Sequence, residues 1–435
     1  MSLPRYPKYK DSGVEWLGEV PEHWEVSQSR RIFAVRSEPA LQADRMLTAS
    51  QKYGVLFQSD FVEIEGRRVA EVIKGVESLR HVEPDDFIIS MRSFQGGLEW
   101  CKLRGSTSFH YVMIKPVKNV RPPFFAHLFK STAYIQALRT TTDLIRDGQE
   151  LRYSNFVQVP LPVVPLDEQT QIAAFLDRET AKIDELVAEQ RRLMALLKEK
   201  RLAVISHAVT RGLNPDAPMK PSGIEWVGHV PVHWGVGALG YLAAVSSGST
   251  PDRGNPAYWG GEIPWIKTGE IDYLPIFQAE ESITKAGLQG SSAKMSEPGT
   301  MLMAMYGQGV TRGRVAILEV AAAYNQACAA ISFGSRIDAR FAQYFFIAGY
   351  HFIRDTGNET SQMNLSTGII QKFQLTVPPV GEQCSIISHL DNETSTIDIL
   401  TTEAQRAITL LQERRTALIS AAVTGQIDVR GVVAA

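Results

Sequence analysis

Three sets of side chains in this chain of 435 residues have the types and spacing that chemistry requires. Pro84-Asp85 followed by Glu99, Trp100, Cys101 and Lys102 fits the loose PD…ExK spacing of metal-dependent nucleases, in which two carboxylates hold a magnesium ion and a lysine helps to polarise water. Asn255-Pro256-Ala257-Tyr258 is close to the Asn-Pro-Pro-Tyr loop with which methyltransferases hold a target adenine. The third set is suited to recognition. In the first half, Arg92, Ser93 and Gln95 follow a strand-like run. In the second, Tyr306, Gln308, Thr311, Arg312 and Arg314 occupy the corresponding turn, with Ser249, Thr250 and Arg253 before the run IPWI and Lys267 and Thr268 after it. Gln149 and Arg152 in DGQELR, and Gln362 and Asn364 in SQMNLS, stand in matching places late in each half. Such groups read base edges or bind phosphate; donor and acceptor geometry pairs Arg with guanine and Gln with adenine.

The catalytic readings weaken when the halves are compared. At an offset of 214, Asp85 becomes Gly299 and no matching Glu or Lys is evident, while Asp85 itself stands where a turn wants a small polar residue. The Asn255 loop lacks the second proline, and no Gly-rich loop after a strand stands ready to cradle S-adenosylmethionine. His23 and His233 sit in aromatic segments without a carboxylate or cysteine beside them, which points to packing or a structural hydrogen bond. The recognition residues have their own plain alternative as solvated or turn-capping groups.

What must position these residues is a duplication. Pro165 to Gly212 reads as one long helix and returns as Pro378 to Gln426: Glu168-Gln169 match Glu382-Gln383, Leu176-Asp177 match Leu390-Asp391, and Ile183-Asp184 match Ile397-Asp398. Apolar steps of four and three give a first seam of Ile172, Leu176, Ile183, Leu186, Leu193, Leu197 and Val204. The second is Ile386, Leu390, Ile397, Leu400, Ala404, Ala407, Leu411 and Leu418. That spacing marks a coiled coil, and each copy is the obvious partner of the other. A Trp-rich segment, Asp11 to Val26, likewise returns as Pro221 to Val236 at an offset of 210.

Between these repeats lie variable blocks, Ser27 to Val164 and Gly237 to Val377. The strand-like runs are YGVLF, FVEI, DFIIS and YVMIKPV in the first block and EIPWIKT, GTMLMAMY, GRVAIL and AAISF in the second, each set followed by a helix-like run. EPDDFIIS at Glu83 and EPGTMLMA at Glu297 both read as a turn feeding a buried strand. The expected boundaries are 1–164 and 213–377 for the two blocks with their Trp-rich leads, 165–212 and 378–428 for the spacer helices, and 429–435 for a tail. A helix of about 40 residues spans roughly 60 Å. The ten residues from Arg211 to Lys220 reach only about 33 to 36 Å. The helices are therefore expected to be antiparallel, with the blocks at opposite ends of a rod. The fold class is α/β: two α/β domains separated by two long antiparallel coiled-coil helices, a pseudo-two-fold internal repeat.

Composition bounds the rest. The chain is 44% hydrophobic and 21% charged, with a formal charge of -2, which by itself disfavours a simple nucleic-acid binder. The first block carries 19 Lys and Arg against 14 Asp and Glu, the second 10 against 11. DNA binding would thus need a local face or a partner subunit to neutralise phosphates. Three scattered cysteines argue against a disulfide framework or zinc cluster. No apolar run is long enough to span a membrane, and MSLPRYPKYKDSG lacks a signal peptide's apolar core, so a cytoplasmic location is expected.

SGVEWLGEVPEHW, the runs from Pro160 to Gln169 and from Val377 to Gln383, and the block from Ser246 to Ile271 together resemble the specificity subunit of type I restriction-modification enzymes. The resemblance covers nearly the whole chain, in the order target-recognition domain, helix, target-recognition domain, helix. It implies a non-catalytic subunit in which each domain reads one half of a split target in double-stranded DNA and the helices set the unread gap. It also implies two docked modification subunits that bind S-adenosylmethionine and methylate adenine, and restriction subunits that use ATP and Mg. No cofactor is then expected on this chain. The competing readings are a coiled-coil scaffold that ignores DNA and a metal-dependent nuclease built on Asp85, Glu99 and Lys102. Two divergent blocks on one repeated frame favour two different ligands over a scaffold.

Overall fold

The computed structural model describes residues 3–66, 79–90, 98–108, 110–118, 120–141, 151–307, 310–355 and 364–431. Contacts divide the chain into two compact units, Met1–Gln190 with Arg406–Ala435, and Arg191–Gln405. Each mixes helix and sheet and contains a four-stranded antiparallel sheet. In the first, the strand order is Phe33–Val35, Tyr111–Pro116, Phe87–Ser90, Glu99–Trp100. In the second it is Ala243–Ser247, Cys328–Phe333, Met301–Ala304, Val315–Ile317. The topology and the pairing register are the same: Val35, Ile114, Phe87 and Trp100 occupy the places of Val245, Ile331, Met301 and Ile317, at offsets of 210, 217, 214 and 217.

The turn before the third strand in each order shows why side-chain identity fades while the frame persists. Asp85 and Gly299 both adopt positive φ, 74° and 86°. With Pro84 ahead of Asp85, this is the type II pattern, in which the third turn residue must be left-handed. Asp tolerates that region and Gly occupies it freely. The adjoining hydrogen bonds also repeat: Asp85 N–H to the Cys101 carbonyl at 2.8 Å, and Gly299 N–H to the Leu318 carbonyl at 2.7 Å.

Most strand-like runs are strands, but FVEI lies within the helix Gln58–Glu65. Its β-propensity yields to the short hairpin Leu47–Ser50 and Gly54–Phe57, which feeds straight into that helix. The helix-like run after the first sheet is broken at Ser131, which ends Pro122–Lys130 and caps Thr132–Arg139 by accepting from Tyr134 N–H. Gly349 divides the corresponding run into Ala339–Ala348 and Tyr350–Asp355.

The long helices run Leu166–Arg211 and Val380–Val423. In the first unit, Ile172 and Leu176 share a core with Ile419, Ala422 and Val423, while Asp184 pairs with Arg415 at 3.1 Å. One number rises as the other falls, so these segments are antiparallel. In the second unit, Ile205, Ala208 and Val209 share a core with Ile386, Ile387 and Leu390, and Arg201 pairs with Asp398 at 3.4 Å. Asp398 and Arg415 are the repeat equivalents of Asp184 and Arg201, so one interaction occurs twice, once in each unit.

The seam differs from the sequence expectation by one position in places. Leu186, Leu193 and Leu400 are exposed at 49%, 42% and 48%, whereas Val187 and Ile408 are buried. Alternating steps of four and three from Ile183 reach Val187, Gln190, Met194, Leu197, Arg201 and Val204; a shift of one residue turns a side chain about 100° around the axis. At Leu186-Val187 and Ala407-Ile408 two apolar residues adjoin, and the sequence pattern took the wrong one of each pair.

Candidate nucleic-acid interface

In the second unit, the fold gathers four recognition candidates that are far apart in sequence. Thr250, Arg253, Lys267 and Thr268 line one hollow of about 560 Å³, with Glu280 and Asn325 on the same wall. The strand Trp259–Ile266 sets the position of Lys267 just beyond its end, and Glu270 fixes the turn Thr268–Glu270 by accepting from Lys267 N–H at 2.6 Å. Ser249 serves through its backbone: its N–H bonds the Tyr324 carbonyl at 3.0 Å, and its carbonyl accepts from the Trp265 indole at 3.0 Å. The Thr250 hydroxyl donates to Gln326.

Charge in this hollow is balanced internally. Arg253 Nη1 donates to Glu281 Oε2 at 2.5 Å, and its guanidinium lies 3.9 Å from the Trp259 ring centre and 5.0 Å from that of Trp265. Lys267 Nζ donates to Glu280 at 2.8 Å and to Glu281 at 3.0 Å. The bonds to Glu280 and then Glu281 push the Lys267 ammonium further up, and Arg253, with Lys267, holds the Glu281 carboxyl below its usual range. Lys267 is therefore charged at neutral pH, and Glu281 holds both side chains in place.

A second group lies near the same turn. The Met305 N–H bonds the Ala327 carbonyl at 2.8 Å, and the Met305 carbonyl accepts from Leu365 N–H at 3.0 Å, which brings exposed Tyr306 and half-buried Asn364 together. Arg314 reaches Asp272 at 2.5 Å and lies 5.7 Å from the Tyr273 ring centre. Arg312 is 8% exposed, so its guanidinium is withheld from the surface; neighbouring loop residues offered no signal of that in sequence. In the first unit, exposed Arg152 precedes the short helix Tyr153–Phe156, with its N–H on Asn155 Oδ1 at 3.0 Å. Arg92, Ser93, Gln95, Gln149, Gln308 and Gln362 lie outside the described residues.

The catalytic alternatives resolve into structural contacts. Glu99 is buried and paired with Lys130, and burial pushes its carboxyl up against the pull of that bond. Asp85 accepts from the Trp100 indole at 3.1 Å, and the Lys102 ammonium lies 4.4 Å from the Trp100 ring centre. Asn255 caps the turn Pro256–Tyr258 by accepting from Ala257 N–H at 3.1 Å. Among the described residues, no group of three or more His, Cys, Asp or Glu side chains is arranged to hold a metal.

Sequence reading missed the carboxylates that position everything else. His23 and His233 do have acidic company, supplied by the helix starts: His23 Nε2 lies 2.8 Å from Glu168 Oε2, and His233 Nε2 lies 2.8 Å from Glu382 Oε2. The Trp24 and Trp234 indoles donate to the same carboxylates at 3.1 and 3.0 Å. Gln169 and Gln383 complete each anchor, accepting from Arg121 N–H and Asp338 N–H, both at 2.8 Å, just ahead of Pro122–Lys130 and Ala339–Ala348. The available signal was the recurrence of His-Trp at one offset and Glu-Gln at the other. Glu281, Trp259 and Trp265, which fix Arg253, were also missed.

Residues 231–409 match the family model of the type I restriction modification DNA specificity domain. The chain is 24% identical over 174 residues to the type I restriction enzyme MjaIX specificity subunit of Methanocaldococcus jannaschii, covering 38% of this chain and 40% of that one. It is 21% identical to the putative MjaX specificity subunit of the same organism, over 60% of this chain and 62% of the relative. The match thus spans less than two thirds of the length of these two relatives. The StySPI specificity subunit of Salmonella potsdam is 21% identical over 81% of this chain and 77% of its own length. Among solved structures, a chain from a study of complex assembly and conformational transition of the type I R-M system superposes with a TM-score of 0.72 at 13% identity, covering 93% of this chain and 98% of that one. The HsdS subunit from Thermoanaerobacter tengcongensis gives 0.57 at 14% identity with the same coverage. The fold is that of these HsdS-like chains. The resemblance to type I restriction specificity subunits read from the sequence holds.

Proposed function

We propose that this chain is the DNA-recognition subunit of a type I restriction-modification complex, with each variable block reading one half of a bipartite target. The observation that carries this reading is the pairing of one repeated frame with two unlike surfaces. The sheets share an order and the helix anchors repeat, while the second block adds to that frame a Trp-lined hollow around Arg253 and Lys267. The domain boundaries follow the repeat: 1–164 and 213–377 for recognition, 165–212 and 378–428 for the helices that set the gap and dock modification subunits.

This chain supplies recognition and no catalytic step. S-adenosylmethionine belongs to the two modification subunits, and ATP and Mg to the restriction subunits that complete the assembly, in the cytoplasm. The described residues include no helix long and apolar enough to cross a membrane. Ser249, Thr250, Arg253, Lys267, Thr268, Tyr306, Arg314 and Asn364 are the described second-block candidates for DNA contact, and Arg152 is that of the first. With little net charge on the second block, partner subunits contribute part of the phosphate neutralisation.

Sequencing methylated adenines in cells with and without the gene tests this directly. A split motif that disappears with the gene is expected; an unchanged methylation pattern would overturn the reading. Exchanging residues 237–377 for the block of another type I subunit should change one half-motif and leave the other intact.

A further inference from the structure

Arg253 is held from two directions. The Trp259 ring lies 3.9 Å from its guanidinium, and Glu281 takes its Nη1 at 2.5 Å. The Trp265 ring lies 5.0 Å away as well, and among the described residues Nη1 carries the guanidinium's hydrogen bond, so the Nε and Nη2 edge can serve as a second fork. Each support is itself fixed. The Trp259 indole donates to the Asp252 carbonyl at 3.0 Å, next to Arg253 in the chain. Glu281 begins the strand Glu281–Ile283, which pairs with Trp259–Ile266, and its other oxygen accepts from Lys267 at 3.0 Å. Despite these contacts Arg253 remains 54% exposed, beside the hollow shared with Thr250 and Lys267.

A phosphate contact needs charge and tolerates a mobile side chain. Bidentate reading of guanine O6 and N7 needs a planar fork in a fixed orientation, because both bonds must form together and the order lost on binding subtracts from affinity. An arginine stacked on tryptophan and pinned by a carboxylate has already given up that freedom. Neutralisation by Glu281 also lowers its value as a general phosphate attractor. We propose that Glu281 is a positioning residue that, with Trp259, presents Arg253 as the reader of a guanine in the half-target recognised by the second block. This rests on the function proposed above and adds to it the base, the reader and its support.

The test uses the full chain assembled with its modification subunits. The half-motifs are first established by sequencing methylated DNA from cells carrying the wild-type complex. Purified complexes then compete for the motif duplex and for duplexes in which each G·C pair of the second half is replaced in turn. Arg253→Ala should lower discrimination at one guanine about 10- to 100-fold. Glu281→Gln, nearly isosteric and partly exposed, should lower discrimination at that same position several-fold and leave every first-half position unchanged. Arg253→Lys keeps the charge and should fail to restore discrimination, since lysine lacks the fork.

The inference is overturned if Arg253→Ala weakens all duplexes equally and reduces the slope of binding against salt by about one, the signature of a phosphate contact. It is also overturned if Glu281→Gln leaves the discrimination ratio at wild-type value, or if the second half-motif contains no guanine. Should Arg253→Ala prevent assembly, Glu281→Gln and Arg253→Lys decide the matter. A wild-type complex that yields no gene-dependent split motif would instead defeat the function on which this inference rests.

Discussion

The two helix anchors use the same residues in different surroundings. Around Glu168, the N-terminal and C-terminal segments of the chain close over the carboxylate: Tyr6 donates its hydroxyl to it, Arg430 lies 4.8 Å from the Tyr6 ring centre, and Asp428 N–H bonds the Pro4 carbonyl at 2.8 Å. Around Glu382, the Trp and His contacts remain but nothing equivalent to Tyr6 is added among the described contacts. The side chain of Glu168 is 4% exposed and that of Glu382 is 26% exposed. Burial and hydrogen bonding by Glu168 push the Tyr6 hydroxyl well above its usual pKa. One motif thus serves as a buried polar core in the first unit and as a half-open clasp in the second. Chain termini supply the difference.

The largest test of that contrast is removal of the carboxylate. Glu168→Ala strands a phenol, an indole and an imidazole that shared it, and should cost about 3 to 5 kcal/mol, in the range for breaking a buried charged network. Glu382→Ala loses fewer partners in a wetter place and should cost about 1 to 2 kcal/mol. Urea unfolding of the two variants measures both, and equal losses would break the comparison. A smaller effect comes from the glycines that end the long helices. Gly425 and Gly212 share a φ of 76°, a region costly for any residue with a Cβ. A Cβ on Gly425 would lie 2.4 Å from Pro21 Cδ, whereas one on Gly212 would first meet Glu382 Oε1 at 3.0 Å. Gly425→Ala should therefore cost about 2 to 3 kcal/mol and Gly212→Ala about 1 to 2 kcal/mol, read from the same unfolding curves.

The duplication made the frame legible, because a repeated pattern is seen twice and each copy checks the other. The two long helices, the shared succession of strands then a helix, and the turn at Asp85 and Gly299 all followed from it. The anchor was half legible: the His-Trp and Glu-Gln pairs were visible as repeats, but their meeting joins residues separated by 145 positions. Only tertiary structure closes that distance. Among the recognition candidates, proximity in sequence misled in another way. Arg312 and Arg314 look alike in MYGQGVTRGR, yet one is buried and the other reaches Asp272. Loop side chains follow no period, so neither helix nor strand spacing could sort them. Charge counting also hid the site, since Glu280 and Glu281 cancel Lys267 and Arg253 in the total while arranging them in space.

The smallest effect separates the units by pH. In the first unit His81 is buried between Asp44, 2.7 Å from Nδ1, and Glu83, 2.8 Å from Nε2; its repeat equivalent in the second unit is Met295. Desolvation pulls the His81 pKa down, but the bonds to Asp44 and Glu83 outweigh it and the net direction is up. A pKa raised in the folded state means that the folded protein holds the proton more tightly. The resulting stability is fully present below the unfolded histidine value of about 6.5 and is lost as pH rises through the folded pKa. His127 of the same unit acts in the opposite sense, because burial lowers its pKa despite Asp177 at 2.8 Å. The His81 contribution is therefore read as a difference. Urea unfolding of wild type and His81→Gln from about pH 6 to pH 8 should show the wild-type advantage shrinking with rising pH by under about 1 kcal/mol. Met295→Gln in the second unit should give a difference that does not vary with pH. An advantage for His81 that grows with pH would reverse the assigned direction and remove the electrostatic part of the contrast between the units.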